Sequence, residues 1–465
     1  MSTLAKTKST APRINARATT RVRRSDANPI LRIVPLVALF YSFLLVPIEV
    51  KLSFAGLNFY SYRIAIVLFL PMAIFFAPRR GTRFGLLDLL VFFGSIWVII
   101  SLIYHLGAGT GFVRSSAIFM DIFGAYLIGR LCITTLTDLR RTLVLIVPGL
   151  LFAAGFLAVE SISGNLIVRP FFTSIFGRAV VYSAGDAAGS LELINEYRLG
   201  LLRAYSTFSY PILAGAILGS LLPLYIKSGL RSWALFFGVL ACAMSFFSLS
   251  SAALAGLAMS LILVTLDYLM PRIKAVSWPI IVSLGAIYAF LANMVLETGF
   301  VGLIQRFTLN PMTAYVRRMQ WKYGSENVAE HPVFGIAFRE YDRPFFLTAS
   351  IDAHFLHLAL RHGLITPVML LIAAFSVMFL IGKAAPRFPR ADRNLLVGIN
   401  FMLAILLFIS MTVTYFSEAN IFFLASLGFA VSCANFKQPP KRLIRRRILS
   451  PKERASAGTS TEQAG

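Results

Sequence analysis

Residues 330–363 read EHPVFGIAFREYDRPFFLTASIDAHFLHLALRHG, and residues 364–382 continue as LITPVMLLIAAFSVMFLIG. The second run carries no charged side chain and is close to the roughly 20 apolar residues that a helix needs to cross a bilayer. The first holds four of the chain's five histidines, His331, His354, His357 and His362, among Glu330, Arg339, Glu340, Asp342, Arg343 and Asp352. A dense ionisable cluster at the mouth of a membrane span is costly to place and is rarely idle. The rest of the chain therefore reads as a scaffold that holds this segment at one membrane face.

Composition supports that reading. Of 465 residues 57% are hydrophobic and only 14% are charged, against roughly 25% charged in an average soluble protein. Apolar runs fall near 31–50, 63–78, 86–106, 114–133, 142–160, 207–227, 233–249, 252–270, 276–296, 364–382, 394–413 and 418–436. The expected fold is thus an all-α polytopic integral membrane protein of about 12 transmembrane helices. A basic tail covers 1–30, a membrane domain 31–436 and a second basic tail 437–465. Cys132, Cys242 and Cys433 all lie in apolar runs, which implies neither a disulfide framework nor a metal site. No cofactor is expected either, since there is no Gly-rich phosphate cradle. The net charge of +24 gathers in the tails and in alternate turns, which points to membrane lipid and away from nucleic acid.

Those alternate turns hold Arg79, Arg80 and Arg83; Arg130, Arg140 and Arg141; Lys227 and Arg231; Arg272 and Lys274; and Lys383, Arg387, Arg390 and Arg393. The positive-inside rule places them, and both termini, in the cytoplasm. Two long segments, about 161–206 and 297–353, then lie outside. Their aromatics, prolines and balanced charge predict that both are structured. Long ordered loops are usually functional.

Within them the candidate residues stand out by type. Asp352 opens a predicted short helix that Gly363 closes, and it suits the cap position there. A carboxylate could equally serve as a base. His354, His357 and Arg361 share a face of that helix by their spacing. Arg203, Arg317 and Arg318 lie on the face where the charge rule disfavours arginine. A diphosphate would explain them, because guanidinium binds phosphate oxygens bidentately and keeps its charge. Asp121 sits within an apolar run, either pairing with an arginine or lining a cavity. A zinc site finds no support beyond the i, i+3 histidines.

HPVFGIAF followed by DAHFLHLALRHGLI resembles the C-terminal signature of the O-antigen ligase and polysaccharide polymerase superfamily. Arg317 with Trp321 matches the arginine and tryptophan that precede this turn, and His331 opens it. Arg203 with Phe208, Tyr210 and Pro211 is similar to an R…F-x-H-P element before a middle span. The resemblance covers about 195–375. It departs at Asp352, where ligases carry a histidine, at Ala353, where asparagine is usual, at Tyr210, where histidine is common, and at Ala337, which replaces the second glycine of the turn. Arg343 with Pro344 fits an R-P pair of exopolysaccharide polymerases, so the polymerase branch is preferred.

The resemblance implies a GT-C-like, inverting, metal-independent glycosyltransferase in a bacterial inner membrane, with two structured periplasmic loops. It would polymerise polyprenyl-diphosphate-linked oligosaccharide repeats, with a flippase and a chain-length regulator as expected partners. Arg203, Arg317 and Arg318 would clamp the diphosphate. Asp352, or alternatively His354, would be the base, with His331, Arg343, Tyr210 and Asp121 in support. Ligation to lipid A core or protein is the rival chemistry. A twelve-span secondary transporter is the rival of another class, although transporters place their ionisable groups near the midplane.

Overall fold

The structure is a computed structural model and describes residues 29–54, 57–76, 83–178, 180–182, 188–190, 196–231, 233–272 and 311–435. Residues 1–28, the run at 276–296 and residues 436–465 lie outside these. Fifteen α-helices are described, taken here in chain order. α1 (Pro29–Phe43) leads through the antiparallel hairpin β1 (Lys51–Phe54) and β2 (Leu57–Tyr60) into α2 (Ser61–Phe76). α3 (Leu86–Leu106) is followed by α4 (Ala108–Phe119), which passes through a π turn at Met120–Gly124 into α5 (Ala125–Cys132). α6 (Leu136–Ser163) and α7 (Val168–Phe176) precede two more hairpins, β3 (Val180–Tyr182) with β4 (Ala188–Ser190) and β5 (Tyr197–Arg198) with β6 (Leu201–Leu202). Then come α8 (Pro211–Lys227), α9 (Trp233–Ala243), α10 (Ser251–Leu269), α11 (Pro311–Glu330), α12 (His354–His362), α13 (Ile365–Ala384), α14 (Arg390–Ser410) and α15 (Ser417–Ala434).

Helix starts follow local chemistry. Thr135 and Asp138 form a reciprocal cap on α6: the Asp138 amide donates to Thr135 Oγ1 at 3.0 Å, and the Thr135 amide to Asp138 Oδ2 at 3.1 Å. Two orphan amides at the helix start are satisfied in this way. Pro211 starts α8 at a position where its missing N–H costs nothing.

The helical, membrane-type architecture expected from the sequence is observed, while a count of twelve spans is not shown among the described residues. Seven helices among the described residues are long and apolar enough to cross a membrane: Leu86–Leu106, Ala108–Cys132, Leu136–Ser163, Ser251–Leu269, Ile365–Arg387, Arg390–Ser410 and Ser417–Ala434. α2, α8 and the helix Trp233–Ser248 are apolar but shorter. At 17 residues, α8 reaches about 25 Å, short of a hydrocarbon core of about 30 Å. Hydropathy marks apolar runs without marking where a helix tightens or carries a proline. Here α9 tightens into a 3-10 turn at Met244–Ser248, and α2 and α8 carry Pro71 and Pro223.

α15 lies at the centre of the bundle, and glycine makes its contacts possible. A Cβ on Gly129 of α5 would sit 1.9 Å from Ala425 O, and one on Gly428 would sit 2.1 Å from Tyr126 O. The two backbones therefore touch, as small residues allow in membrane helix pairs. Outward faces carry exposed Phe93, Phe152, Phe375 and Phe379 on long helices, the apolar surface that lipid would cover.

The basic turns meet at one end of the bundle. Arg130 Nε donates to Asp88 Oδ1 at 2.8 Å and its Nη2 to Arg83 O at 2.7 Å. Arg140 pairs with Asp392 at 2.8 Å and donates to Ser228 O at 2.9 Å. Lys227 pairs with Asp267. The described parts of 160–210 and residues 311–364 gather at the other end, where Ser209 N donates to Glu418 Oε1 at 2.8 Å, Trp321 Nε1 to Met411 O at 3.0 Å and Trp97 Nε1 to Val333 O at 2.9 Å.

Candidate functional site

The first half of the site is built on the β5–β6 hairpin. Glu196 accepts from Arg198 Nε at 2.9 Å and from Arg203 Nη1 at 2.6 Å. The Arg203 amide also donates to Glu196 O at 2.8 Å. Burial would raise the Glu196 carboxyl, but its bonds to Arg203 and Arg198 outweigh this and hold it below the usual range. One carboxylate therefore serves two guanidinium groups, and Arg203 Nε stays buried with no acceptor among the described residues. Tyr210 follows, stacked edge-on against Phe416 with ring centroids 5.0 Å apart.

α11 supplies the second half. Arg317 is 6% exposed, and its Nε has no acceptor among the described residues. Burial lowers its pKa, the Asp352 charge opposes that, and the Arg203 and Arg198 charges reinforce it. One turn on, Gln320 accepts the Asp352 amide at 3.1 Å and donates to Ser350 O at 2.8 Å. This fixes the backbone of Asp352 beside Arg317.

Asp352 is half-buried. Burial raises its carboxyl above the usual aspartate range, while Arg317 and then Arg203 pull the other way. Tyr210 and Tyr341 also lie within its field. The structure thus brings Arg203, Arg317, Tyr210 and Asp352 together from segments far apart in sequence.

The capping role expected of Asp352 is overturned. α12 starts at His354, its cap position is Ala353, and no side chain caps it. The extended Ala353 backbone (φ −148°) keeps the chain out of the helix there, and the Asp352 carboxylate lies within the field of Arg317 and Arg203. His354 is buried, and its Nδ1 accepts the Tyr415 amide at 3.3 Å. That assignment puts the ring hydrogen on Nε2, a donor without an acceptor among the described residues. Burial pushes the imidazole down to about 3, so it is neutral.

The turn that follows α11 is locked to the end of α12 by backbone contact. Ile336 N donates to Leu360 O at 2.8 Å, Ala337 N to Arg361 O at 3.0 Å and Leu364 N to Pro332 O at 2.8 Å. Such closeness requires two glycines. A Cβ on Gly335 (φ +65°) would lie 2.5 Å from Leu360 O, and one on Gly363 (φ +81°) would lie 1.9 Å from Val333 O. Gly363 closes the helix as expected, but with ψ 175° instead of the left-handed helical value. α3 grips the outer side of the turn. Trp97 Nε1 donates to Val333 O, Ser101 Oγ donates to Phe334 O at 2.7 Å and His105 Nε2 donates to Gly335 O at 2.9 Å. Phe334 is stacked between Trp97 and Tyr104.

Other expected residues lie elsewhere. Arg318 is half-buried and is not among the charges acting on Asp352. His331 is exposed at the end of α11. Arg343 donates to Leu347 O at 2.9 Å, Tyr341 O at 3.2 Å and Glu340 at 2.8 Å, so it staples its own loop. Arg361 likewise donates to Ala337 O at 2.7 Å and Arg339 O at 3.0 Å. Asp121 pairs with Arg63 of α2 through bonds of 3.0, 3.2 and 2.7 Å. Of the two readings open for Asp121, pairing with an arginine is the one observed.

Sequence reasoning missed Glu196, Glu160 and the α3 residues. Trp97, Ser101, Tyr104 and His105 do follow an i, i+4, i+7, i+8 stripe, a helical-face signal hidden inside an apolar span. No family model matches the chain, and no curated protein sequence is similar to it.

Proposed function

We propose that this chain is a membrane glycosyltransferase that polymerises polyprenyl-diphosphate-linked oligosaccharide repeats. The observation that carries the reading is the meeting of Arg203 and Arg317 around Asp352. Each arginine keeps a buried Nε–H without an acceptor among the described residues. A buried donor left unpaired is costly, and a phosphate-rich ligand would supply acceptors of the right charge. The basic turns at the opposite end support placing this site on the outer face of a bacterial inner membrane, with both termini inside.

In the proposed reaction a sugar hydroxyl of one lipid-linked unit attacks the anomeric carbon of another. A new C–O bond forms as the bond from that carbon to the diphosphate oxygen breaks, with inversion. Arg317 and Arg203 stabilise the leaving diphosphate. Asp352 accepts the hydroxyl proton, and its raised pKa makes it a stronger base than an exposed aspartate. His354 is the weaker candidate, because its Nε2 already holds a hydrogen and its Nδ1 is occupied. It suits orienting the acceptor by donation.

Reconstitution in vesicles with a purified lipid-linked repeat tests the proposal. The expected product is a ladder of longer glycans on the same lipid, with release of polyprenyl diphosphate. Glycan appearing only on added lipid A core would replace polymerase by ligase. Movement of the intact lipid-linked unit across the bilayer without transfer would replace enzyme by transporter.

A further inference from the structure

Glu160 lies near the end of α6, wholly buried, and touches neither arginine of the site. Its Oε1 accepts the amides of Ile167 and Val168, both at 2.9 Å. These amides open α7, where helix geometry leaves them without internal partners. Its Oε2 accepts the amides of Tyr205 at 3.2 Å and Ser206 at 2.7 Å. Four donors from two segments converge on one side chain. Only an ionised carboxylate, with acceptor sites on both oxygens and no donor, satisfies them all.

The Ser206 backbone is otherwise unfavourable. Its φ of +52° is a left-handed value that a serine rarely adopts. The amide bond to Glu160 and the bond from Ser206 Oγ to Ala153 O at 2.7 Å hold it there. Both anchors belong to α6. Arg203 stands just before this kink, and its own amide is fixed on the other side by Glu196 O. The direction of the Arg203 side chain is therefore set by a backbone whose shape depends on Glu160.

We infer that Glu160 is a positioning residue for Arg203: it holds the 203–206 backbone in the conformation that aims the guanidinium at the anion site. This rests on the anion-binding part of the proposal above. Loss of Glu160 should loosen one arm of the clamp and leave the Arg317 arm in place.

The test uses the full chain in lipid nanodiscs with inorganic diphosphate as the probe, read by calorimetry, and amide hydrogen exchange as a second readout. Glu160→Gln turns one acceptor oxygen into a donor facing two N–H groups. It should weaken diphosphate binding roughly tenfold, the scale of one charge-assisted hydrogen bond. Exchange should rise at Tyr205 and Ser206 but not along α11. In an Arg203→Ala background the same substitution should cost nothing further; in an Arg317→Ala background it should cost its full tenfold. Equal losses in both backgrounds would reduce Glu160 to a general structural role and overturn the inference. So would unchanged exchange at 205–206. If Glu160→Gln does not accumulate, Glu160→Asp keeps the charge on a shorter arm and should give a smaller loss with the same dependence on background. Failure of the wild-type protein to bind diphosphate would sink the anion reading alone. The positioning role would then stand or fall on the exchange at 205–206.

Discussion

The two segments that meet at Asp352 are held by opposite means. Residues 203–210 hang from buried carboxylates. Glu160 accepts from the amides of Tyr205 and Ser206, Glu418 accepts from the Ser209 amide at 2.8 Å and its hydroxyl at 2.7 Å, and Arg169 Nη1 donates to Ser209 O at 2.8 Å. Residues 331–364 are held by shape: two glycines let backbone meet backbone, and a stripe on α3 collects three consecutive carbonyls. Hydrogen bonds to charged groups weaken by degrees when one is altered. A close-packed backbone contact has no room to adjust. The first segment should therefore respond to substitution in steps, and the second should hold or collapse.

Asp352 sits where the two segments join, and the largest effect is expected there. Asp352→Asn keeps the shape and removes the basic group. Since the residue caps no helix, its loss should not unseat α12. The initial rate of glycan transfer should fall by about 10²–10⁴, with normal accumulation of the protein. A rate equal to wild type would remove Asp352 from the chemistry. The wild-type pH profile is a second check. The carboxyl is raised by burial, so it is protonated, and lost as a base, at a higher pH than an exposed aspartate. The acidic limb of the rate should therefore lie above the ordinary aspartate value of about 3.9.

Gly363→Ala probes the shape-held segment directly. The new methyl would meet Val333 O at 1.9 Å on a backbone with φ +81°. Strain and displacement together should cost on the order of 3–4 kcal/mol, enough to detach the turn from α12. Thermal unfolding in detergent measures it. An unshifted midpoint would mean that this contact bears no strain and that the contrast between the segments fails.

Lysine substitutions sharpen the contrast within the charge-held half. Arg203 is already engaged by Glu196, whereas Arg317 has no such partner among the described residues. Arg317→Lys should lower diphosphate affinity roughly 10- to 100-fold, because lysine lacks the bidentate fork. Arg203→Lys should cost less, since part of its bonding is already spent on Glu196. Calorimetry with inorganic diphosphate compares them; a larger loss at Arg203 would reverse the order proposed for the clamp.

Much of this was legible in the sequence, and most of the illegible parts turn on contacts between distant segments. The membrane class follows from composition. The short helix was visible through Gly363, and Arg203 and Arg317 drew attention because the charge rule disfavours arginine on the face where it would put them. The helix cap was misplaced by one residue because aspartate is a good cap in isolation, while Gln320 holds the Asp352 amide and Arg317 acts on its carboxylate from another helix. Glu160 closed an apolar run and looked like its edge; its four amide partners come from residues up to 46 positions away. Arg343 was expected in a supporting role through the Arg-Pro pair of the resemblance, and such a pair cannot show that its donors turn back on Leu347 and Tyr341. Long-range hydrogen bonds decide the first two cases, and local pattern carries no record of them.

The smallest expected effect is at Ala337, where the second glycine of the resembled turn is absent. Ala337 has φ +53° and is 2% exposed, its amide bonded to Arg361 O and its carbonyl to Arg361 Nη1. Ala337→Gly would relieve left-handed strain of about 1–2 kcal/mol. It would also lose roughly 0.8 kcal/mol of methyl burial and about 0.5–1 kcal/mol through the freer unfolded chain. These contributions nearly cancel, so the net change should stay within about 1 kcal/mol of zero. Gly335, two residues earlier with nearly the same φ, predicts the contrast. Its Cβ would strike Leu360 O at 2.5 Å, so Gly335→Ala should be strongly destabilising although the backbone angle is alike. Paired unfolding curves of Ala337→Gly and Gly335→Ala test whether space or backbone angle governs this turn. Equal and opposite shifts would show that the angle alone decides, and the close contact with α12 would lose its role as the lock.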